Sequence, residues 1–421
     1  MESSSIKNYI LDSAKNARQS ALALSCMSTE EKNRALQAMI IHLNSRRTEI
    51  QRENKIDLEN GRINGLSAAM IDRLTLNDAR IDAMIQSLKE LILLKDPVGT
   101  CLSEWTRPNG MTIKKIRVPI GVIGIIYESR PNVTVDAASL CLKTGNATIL
   151  RGGKESIHSN RALAKILQDA LIEAELPKNA IQLISTTDRQ AVGELLQLNE
   201  YIDLIIPRGG ESLIRRVARE STIPVIKHYK GVCHLYADKE LNPKQAVSVI
   251  LNSKVQRPGV CNALETLLVH ESLKETFLKE ICIKLIESGV EIRGDDATCR
   301  VCPQAISATE DDWFAEYLDM IIAVKTVKNV KDAIAHIEKY GSRHSDGILT
   351  TNQTTANIFL QAVDSAVVYH NVSTRFTDGG QFGMGAEIGV STDKLHARGP
   401  MGLEELTSYK YIVTGNGQIR E

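Results

Sequence analysis

The chain has little of what nucleic-acid-binding and membrane proteins need. Its 51 Lys and Arg residues are balanced by 51 Asp and Glu residues, so no long-range field attracts it to nucleic acid or to an anionic membrane. Only 4% of the residues are aromatic, which disfavours a base-stacking surface. Apolar runs such as Val122–Ile126 fall far short of the roughly 20 residues of a membrane span. We therefore expect a soluble, cytosolic protein with neither a nucleic-acid nor a membrane partner.

Cysteine is also sparse, because eight irregularly spaced residues in 421 do not resemble a disulfide framework. Cys299 and Cys302 have the spacing of a redox or zinc pair, but a zinc site needs two further ligands and the sequence has no second Cys pair. We therefore predict no metal site. Cys233 has His234 beside it, but adjacent residues of a strand point to opposite faces, so we interpret Cys233 as structural.

The usual glycine fingerprints of nucleotide-binding proteins are missing, since no GxGxxG opens a helix after a strand and no GxxxxGK[ST] occurs. Instead, two strand-to-helix turns carry nearly the same string, Arg151-Gly152-Gly153-Lys154 and Arg208-Gly209-Gly210-Glu211. In a parallel sheet such turns lie at the carboxyl edge, where glycine lets an anion approach the N–H groups of the next helix. Either glycine pair alone is equally consistent with a tight turn. The two together, each with a flanking Arg, predict an anion site.

The pattern of elements predicts an α/β protein. The first hundred residues have helical periodicity, and the segment Thr112–Val118 alternates apolar and basic residues, as in a ribbon with one solvated face. From Pro119 onward, short β-branched strands alternate with helices, which favours parallel sheets covered on both faces. A break near Gly231–Asn242 predicts two such domains.

Cys261 is the best candidate for a nucleophile. It lies in Gln256–Asn262, between a predicted helix and a predicted strand, where Arg257 provides a nearby cation and Pro258-Gly259 permits a sharp bend. A nearby cation raises the thiolate fraction of a cysteine. Because several other cysteines compete for the role, the residues alone leave a structural role open.

Several strings of the sequence together resemble one family. They are Arg130–Thr134, Arg151–Gly153, Ile206–Gly210, Gln256–Asn262, Ser373–Phe376, Gly383–Gly389 and Leu395–Pro400. They resemble the gamma-glutamyl phosphate reductases, members of the aldehyde dehydrogenase superfamily, and the match runs from about Lys7 to Arg420. That superfamily binds NAD(P) on a Rossmann-like sheet without the glycine fingerprint.

The resemblance implies an aldehyde-dehydrogenase-like α/β fold with two Rossmann-like parallel-sheet domains and a small β flap for oligomerisation. We expect residues 1–97, 119–236 and 385–410 to form the NADP-binding domain. Residues 237–384 would form the catalytic domain that carries Cys261. Residues 98–118 and 411–421 would form the flap, and the protein would be a homo-oligomer.

The resemblance also assigns roles to residues. Cys261 matches the nucleophile, and Asn132 matches the amide that stabilises the oxyanion together with the Cys261 N–H. Lys154 falls where the superfamily places a lysine on the adenosine ribose or its phosphate. Glu316 matches a glutamate that holds the nicotinamide ribose, and Arg208–Gly210 matches a helix start beside the pyrophosphate of NADP(H).

One departure from the superfamily bears on the reaction. Hydrolytic aldehyde dehydrogenases keep a glutamate that activates water, and the corresponding stretch Lys227–Gly231 has no acid. The absence of this acid therefore favours phosphate over water as the reaction partner of the acyl-enzyme. The resemblance implies NADPH-dependent reduction of L-glutamate 5-phosphate to L-glutamate 5-semialdehyde and phosphate through a thioester, in proline biosynthesis. Transfer of the substrate from glutamate 5-kinase is an expectation at the family level only.

Because this substrate carries a phosphate and an alpha-carboxylate, cations should converge on the site. The candidates are Arg257, Arg375 and Arg398, with His396 as a weaker fourth, and a surface or interdomain ion pair is the alternative for each Arg. Two other functions stay open at this point. One is an aldehyde dehydrogenase that oxidises a small aldehyde, and the other is a catalytically silent cofactor-binding or scaffold protein.

Overall fold

Two parallel sheets, a three-stranded antiparallel sheet and a short two-stranded pair organise the chain in the computed structural model, which describes residues 3–420. Residues 1, 2 and 421, at the ends of the predicted terminal segments, lie outside the described residues. The strands in chain order are β1 Cys101–Thr106, β2 Thr112–Pro119, β3 Val122–Tyr127, β4 Ala147–Arg151, β5 Ile181–Leu183, β6 Leu204–Arg208, β7 Cys233–Ala237, β8 Leu264–His270, β9 Glu291–Gly294, β10 Ile306–Ser307, β11 Ile321–Val327, β12 Ser345–Leu349, β13 Val367–His370, β14 Val390–Ser391, β15 Gly399–Pro400 and β16 Thr407–Thr414.

The α-helices follow the periodicity of the apolar residues. In chain order they are α1 Ser3–Leu24, α2 Thr29–Ser45, α3 Arg47–Ile63, α4 Ala68–Leu74, α5 Asp78–Leu93, α6 Val133–Lys143, α7 Ile157–Glu173, α8 Gln190–Leu195, α9 Glu211–Glu220, α10 Pro243–Val255, α11 Lys279–Glu287, α12 Asp296–Val301, α13 Glu310–Trp313, α14 Val330–Tyr340 and α15 Gln353–Ala362. A capping box starts α2, with Ser28 and Glu31 bonded to each other's backbone N–H groups. Among the described residues, no helix is long and apolar enough to cross a membrane.

The first of two compact units comprises Met1–Lys227, Gly383–Gly389 and Met401–Glu421. Its parallel sheet has the strand order β5-β4-β3-β6. Every residue of β3 is buried, as a strand covered on both faces requires. The β4 and β6 strands flank β3, so the turns that follow these three strands share the carboxyl edge of the sheet.

The antiparallel sheet of this unit has the order β1-β2-β16 and is mostly exposed. It contains the predicted flap ribbon and adds a third strand to it. The third strand begins at Thr407, inside the segment that we assigned to the NADP-binding domain, because β16 pairs with the whole of β2 from Thr407 opposite Pro119 to Thr414 opposite Thr112.

The second unit comprises His228–Phe382 and Val390–Pro400. Its seven-stranded parallel sheet has the order β10-β9-β11-β8-β7-β12-β13. The unit starts nine residues before the predicted boundary at 237, because β7 pairs with β8 and β12 of this sheet. The β14–β15 pair also lies here, although the sequence placed it in the NADP-binding segment.

Candidate active site

The first Arg-Gly-Gly turn follows β4 in unit 1 and is tightly fixed. Arg151 donates from Nη1 to the Gly152 carbonyl at 2.9 Å and from Nη2 to the Thr187 carbonyl at 3.3 Å. Burial lowers the pKa of the Arg151 guanidinium. Both glycines are buried, and a Cβ on Gly152 would lie 2.1 Å from Nδ2 of Asn160. Lys154 is exposed where the turn enters α7, so its ammonium group is accessible at this edge.

The second Arg-Gly-Gly turn follows β6, and a carboxylate already lies against it. Glu128 Oε2 accepts a hydrogen bond from the Gly210 N–H at 3.0 Å, at the start of α9. A Cβ on Gly209 would lie 2.4 Å from the same oxygen. Arg208 packs against Gly389, where a Cβ would lie 2.6 Å from Nη1. The N–H group that we expected to face a cofactor anion is therefore bonded to the side chain of Glu128.

Asn132 lies at the start of α6, in the turn that follows β3. Its Nδ2 donates to Asp136 Oδ2 at 2.9 Å, one helical turn further along. Burial raises the pKa of Asp136 to about 6. Because a carboxylate only accepts hydrogen bonds, the Asn132 NH₂ group must face Asp136. This NH₂ group has a second N–H that can donate to another acceptor. Asn132 can therefore donate to a second, negatively charged partner.

Cys261 lies in unit 2, partly exposed, in the loop between α10 and β8. Its carbonyl accepts from the buried Cys233 thiol at 3.2 Å. Gly231 packs so close to this carbonyl that a Cβ would lie 1.8 Å from it. The next residue, Asn262, donates to the Thr377 carbonyl at 2.9 Å. The backbone on both sides of the Cys261 side chain is thus held in place.

The other thiols and cations of unit 2 distinguish Cys261 further. Burial raises the pKa of the Cys233 thiol well above its ordinary value, which makes it a poor nucleophile. Arg375 donates from Nε to Gln256 Oε1 at 2.9 Å. Burial and the charge of Arg257 lower the pKa of Arg375, and the charge of Cys261 acts in the opposite sense. Arg375 therefore interacts electrostatically with both Cys261 and the second predicted cation, Arg257.

Glu316 is bonded to the backbone that supports Cys261. Its Oε1 accepts from the Gly231 N–H at 2.8 Å. A buried ion pair lies beneath this segment, in which Lys254 Nζ and Glu265 Oε2 are 2.7 Å apart and burial raises the pKa of the Glu265 carboxyl. Glu265 also accepts from the N–H of Leu318, whose φ of 53° is in the left-handed region. The pair therefore holds the strained backbone next to Glu316.

Two histidines that the sequence did not predict as site residues lie beside Cys261. One ring nitrogen of His228, one of His344 and the Cys261 sulfur all lie within 4.8 Å of one another. The two imidazole rings are 5.5 Å apart between centroids, at an interplanar angle of 70°. Because the three residues are far apart in the chain, no local sequence pattern predicts that they form a cluster. It is a set of nitrogen and sulfur donors that can hold a metal ion.

The last two predicted substrate ligands have other surroundings. Arg398 forms an ion pair with Asp364, from Nη1 to Oδ1 at 2.8 Å, and Lys394 pairs with the same carboxylate. This is the alternative that the sequence left open for Arg398. His396 is exposed.

Comparison with known proteins agrees with the motifs. The model of the aldehyde dehydrogenase family matches residues 5–319. A gamma-glutamyl phosphate reductase from Halothermothrix orenii is 54% identical over 416 residues, which cover 99% of this chain and 100% of that protein. The crystal structure of gamma-glutamyl phosphate reductase from Thermotoga maritima is 50% identical, with a TM-score of 0.96, and the match covers 98% of this chain and 100% of the other.

A more distant structure shows the fold alone. An acetylating aldehyde dehydrogenase from Geobacillus thermoglucosidasius is 16% identical, with a TM-score of 0.67, over 100% of this chain and 99% of the other. The predicted α/β fold with two parallel sheets is confirmed.

Proposed function

The chain belongs to the gamma-glutamyl phosphate reductase family, within the aldehyde dehydrogenases, and from this premise we propose that it reduces L-glutamate 5-phosphate to L-glutamate 5-semialdehyde and phosphate at Cys261. The observation that carries the proposal is the position of Cys261. It is a partly exposed thiol on a fixed backbone, and it interacts electrostatically with Arg375, whereas the neighbouring Cys233 is buried.

The proposed reaction begins with nucleophilic attack by Cys261. Its thiolate forms a C–S bond to the C5 carbonyl of the acyl phosphate, and the C–O bond to phosphate breaks with both electrons leaving on phosphate. The product is a thioester, whose carbonyl is more electrophilic than a carboxylate. After reduction, the tetrahedral oxyanion expels the Cys261 thiolate and leaves the aldehyde, so the thiolate is regenerated.

Two donors are assigned to the oxyanion. They are the backbone N–H of Cys261 and the Nδ2 of Asn132, which Asp136 holds through its other N–H. Donors that are already oriented before the charge develops stabilise the transition state without a cost of reorganisation. We infer that Asp136 is the group that positions Asn132 for this task.

The aldehyde dehydrogenase family implies a nicotinamide cofactor, and the described residues fit one. When bound, such a cofactor supplies hydride to a carbonyl carbon. The turn after β4 has two buried glycines without Cβ atoms, the cation Arg151 and the exposed cation Lys154. We infer that these two cations favour the 2′-phosphate of NADP(H) over NAD(H), since phosphate binds best to paired cationic donors. Glu316 is assigned to the nicotinamide ribose.

The substrate ligands follow from the charges. Arg375 interacts electrostatically with Arg257 and with Cys261. We assign these two arginines to the phosphate and the alpha-carboxylate of the substrate. Arg398 is engaged by Asp364, so its role as a substrate ligand rests on the resemblance alone, as does that of His396. The coupling to glutamate 5-kinase also stays a prediction.

The three-stranded sheet supports a homo-oligomer. Side chains of Trp105, Tyr409, Tyr411 and Val413 are exposed on it, and an exposed apolar surface of this kind is typical of a protein interface. We infer that the β1-β2-β16 sheet is the oligomerisation flap.

The test of the proposed function is the reverse reaction. Glutamate 5-semialdehyde, phosphate and NADP⁺ should give NADPH, and omission of phosphate should abolish its formation, whereas an aldehyde-oxidising enzyme would not need phosphate. Replacement of Cys261 by Ala should reduce turnover by about 10⁴-fold or more, because no other group supplies the nucleophile. The Cys261→Ala protein should still bind NADPH, and the fluorescence of NADPH measures this binding.

The matched control is Cys101→Ala, which removes an exposed thiol from β1. It should leave turnover unchanged. Near-normal turnover of the Cys261→Ala protein would refute the assignment of the nucleophile, and phosphate-independent oxidation of the aldehyde would refute the assignment of the reaction.

A further inference from the structure

We propose that Cys261, His228 and His344 form a binding site for Zn²⁺ that inhibits the enzyme by occupying the sulfur of the nucleophile. The ligands are one thiolate and two imidazoles, the donor types that Zn²⁺ takes most often in proteins. The inhibition rests on the proposed role of Cys261 in catalysis, whereas the binding of the ion does not.

The geometry of the three donors fits one ion. The two nitrogen atoms and the sulfur atom lie within 4.8 Å of one another, so a central point exists that is at most about 2.8 Å from each donor. Bond lengths to Zn²⁺ are about 2.0–2.1 Å for nitrogen and about 2.3 Å for sulfur. Side-chain movements of about 0.5–0.8 Å therefore close the site, which rotation about the side-chain bonds can supply.

His228 is already held in the form that binds a metal. Its Nδ1 lies 2.8 Å from the carbonyl oxygen of Val390, which can only accept a hydrogen bond. A neutral ring bonded in this way carries its proton on Nδ1 and its lone pair on Nε2, which is then the nitrogen that a metal ion can take. A backbone carbonyl that accepts from the second ring nitrogen is the usual outer support of a metal-bound histidine, where it fixes the tautomer and the direction of the ring.

His344 is held by a chain of hydroxyl groups. Its Nδ1 lies 2.9 Å from Ser345 Oγ, which lies 2.6 Å from Thr377 Oγ1, and that atom lies 2.8 Å from the hydroxyl of Tyr369. The ring is completely buried, so its orientation is fixed by these contacts. Two of the three ligands are thus oriented in advance, and the third is the partly exposed Cys261.

The chemistry of the site selects the class of ion. The donor set has no oxygen ligand, which disfavours Mg²⁺ and Ca²⁺ and favours Zn²⁺ and Co²⁺. Binding replaces the thiol proton, so Zn²⁺ and the Cys261 thiol give a Zn–S bond and one released proton. The charge of Arg375 opposes the ion, because it acts on the same sulfur. The fourth coordination position is left to water, which makes the site open and reversible.

The experiment uses the full-length protein after removal of metals with a chelator. Equilibrium dialysis against Zn²⁺ should give one equivalent bound per chain. Cys261→Ser and His228→Asn each remove one proposed ligand, and each should weaken Zn²⁺ binding by about tenfold or more. Co²⁺ should give the near-ultraviolet absorption of a thiolate-to-metal bond in the wild-type protein and lose it in Cys261→Ser.

The control is Cys299→Ser, because Cys299 and Cys302 are the rival pair with metal-ligand spacing. It should bind Zn²⁺ as the wild-type protein does. Since His344 is buried and its replacement can impair folding, His228→Asn, which alters a partly exposed side chain, carries the test. Zn²⁺ should also slow alkylation of Cys261, measured on its peptide by mass spectrometry, and Mg²⁺ at the same concentration should not.

The outcomes separate this site from the proposed function. No stoichiometric binding, or binding that is lost only in Cys299→Ser, would overturn the metal site and leave the catalytic role of Cys261 intact. Binding that depends on Cys261 and His228, together with a fully active Cys261→Ser protein, would establish the metal site and overturn the proposed function. Metal binding at Cys261 with inhibition relieved by a chelator is the expected result.

Discussion

The two Arg-Gly-Gly turns of unit 1 are nearly identical in sequence and differ in the burial of their glycines and in what their N–H groups bind. In the turn after β4 both glycines are buried, and Gly152 makes room for Asn160. In the turn after β6 both glycines are exposed, and Glu128 accepts from the Gly210 N–H. The same string therefore serves close packing in one turn, whereas in the other turn one of its glycine N–H groups is bonded to a carboxylate.

This difference shows why a glycine-rich turn at a sheet edge is only the start of an anion site. The helix N-terminus offers N–H groups to any anion, and a carboxylate of the same chain satisfies them as well as a phosphate does. The first turn is followed by the exposed cation Lys154 and then by Glu155, which accepts from the Ser129 N–H, whereas the second turn is followed directly by the acidic Glu211. The phosphate-binding part of the proposed site is thus stronger at the first turn.

The largest expected contrast between the turns is in stability. Gly152→Ala places a Cβ about where the Asn160 amide lies, 2.1 Å from Nδ2, and must displace a side chain that donates to Ser156 Oγ and accepts from Thr134. We expect a loss of about 2–3 kcal/mol in the free energy of unfolding, from crowding and from the disturbed buried hydrogen bonds. The shift of the urea unfolding midpoint measures it.

The matched control is Gly210→Ala in the other turn. The nearest atom to its new Cβ is Glu128 Oε2 at 3.9 Å, and its φ of −68° and ψ of 161° suit alanine. We expect a change within about 0.5 kcal/mol. Equal midpoint shifts for the two variants would show that the turns are packed alike, contrary to the contacts described above.

The sequence predicted the elements of these turns better than their partners. The runs Val122–Ile126 and Ala147–Leu150 form β3 and β4, because continuous β-branched residues suit a strand buried on both faces. The short run Pro224–Ile226 also has β-branched residues, but it forms only one bridge, between Val225 and Ile205. The proline at its start cannot donate to a ladder, which weakens pairing there.

The candidate site also has one part that the local sequence predicts and another part that only the fold brings together. Cys261 could be singled out from its own loop, since the neighbouring Arg257, Pro258 and Gly259 are local signals. The bond from Gly210 to Glu128 joins residues 82 positions apart, so only the folded chain brings them together. The same holds for His228 and His344 at Cys261. Roles that depend on contacts between distant parts of the chain have no local pattern from which they could be predicted.

A smaller effect should distinguish the first turn as the binding site of the 2′-phosphate. Lys154→Ala removes its exposed cation without disturbing the buried glycines. We expect KM for NADPH to rise about tenfold, the value of one charge-assisted contact of about 1.4 kcal/mol, and KM for NADH to stay the same. Steady-state kinetics with both cofactors measures the difference.

Lys178→Ala, which removes an exposed lysine elsewhere in unit 1, is the control and should change neither constant. A parallel rise of KM for both cofactors in Lys154→Ala would mean that the ammonium contacts a group that NADH also has, such as the ribose or the pyrophosphate. The proposed preference for NADP(H) would then lose its physical basis at this residue.

The smallest effect tests the second turn. Glu128→Gln keeps a hydrogen-bond acceptor near the Gly210 N–H but removes the negative charge. If the pyrophosphate lies at the start of α9, the wild-type carboxylate competes with it, and the variant should lower KM for NADPH by about threefold, the size of an exposed charge effect of roughly 0.6 kcal/mol. The gain should shrink as ionic strength rises, because Glu128 is exposed and its field is screened. An unchanged KM at low salt would mean that the cofactor phosphates do not use this turn and that its glycines serve Glu128 alone.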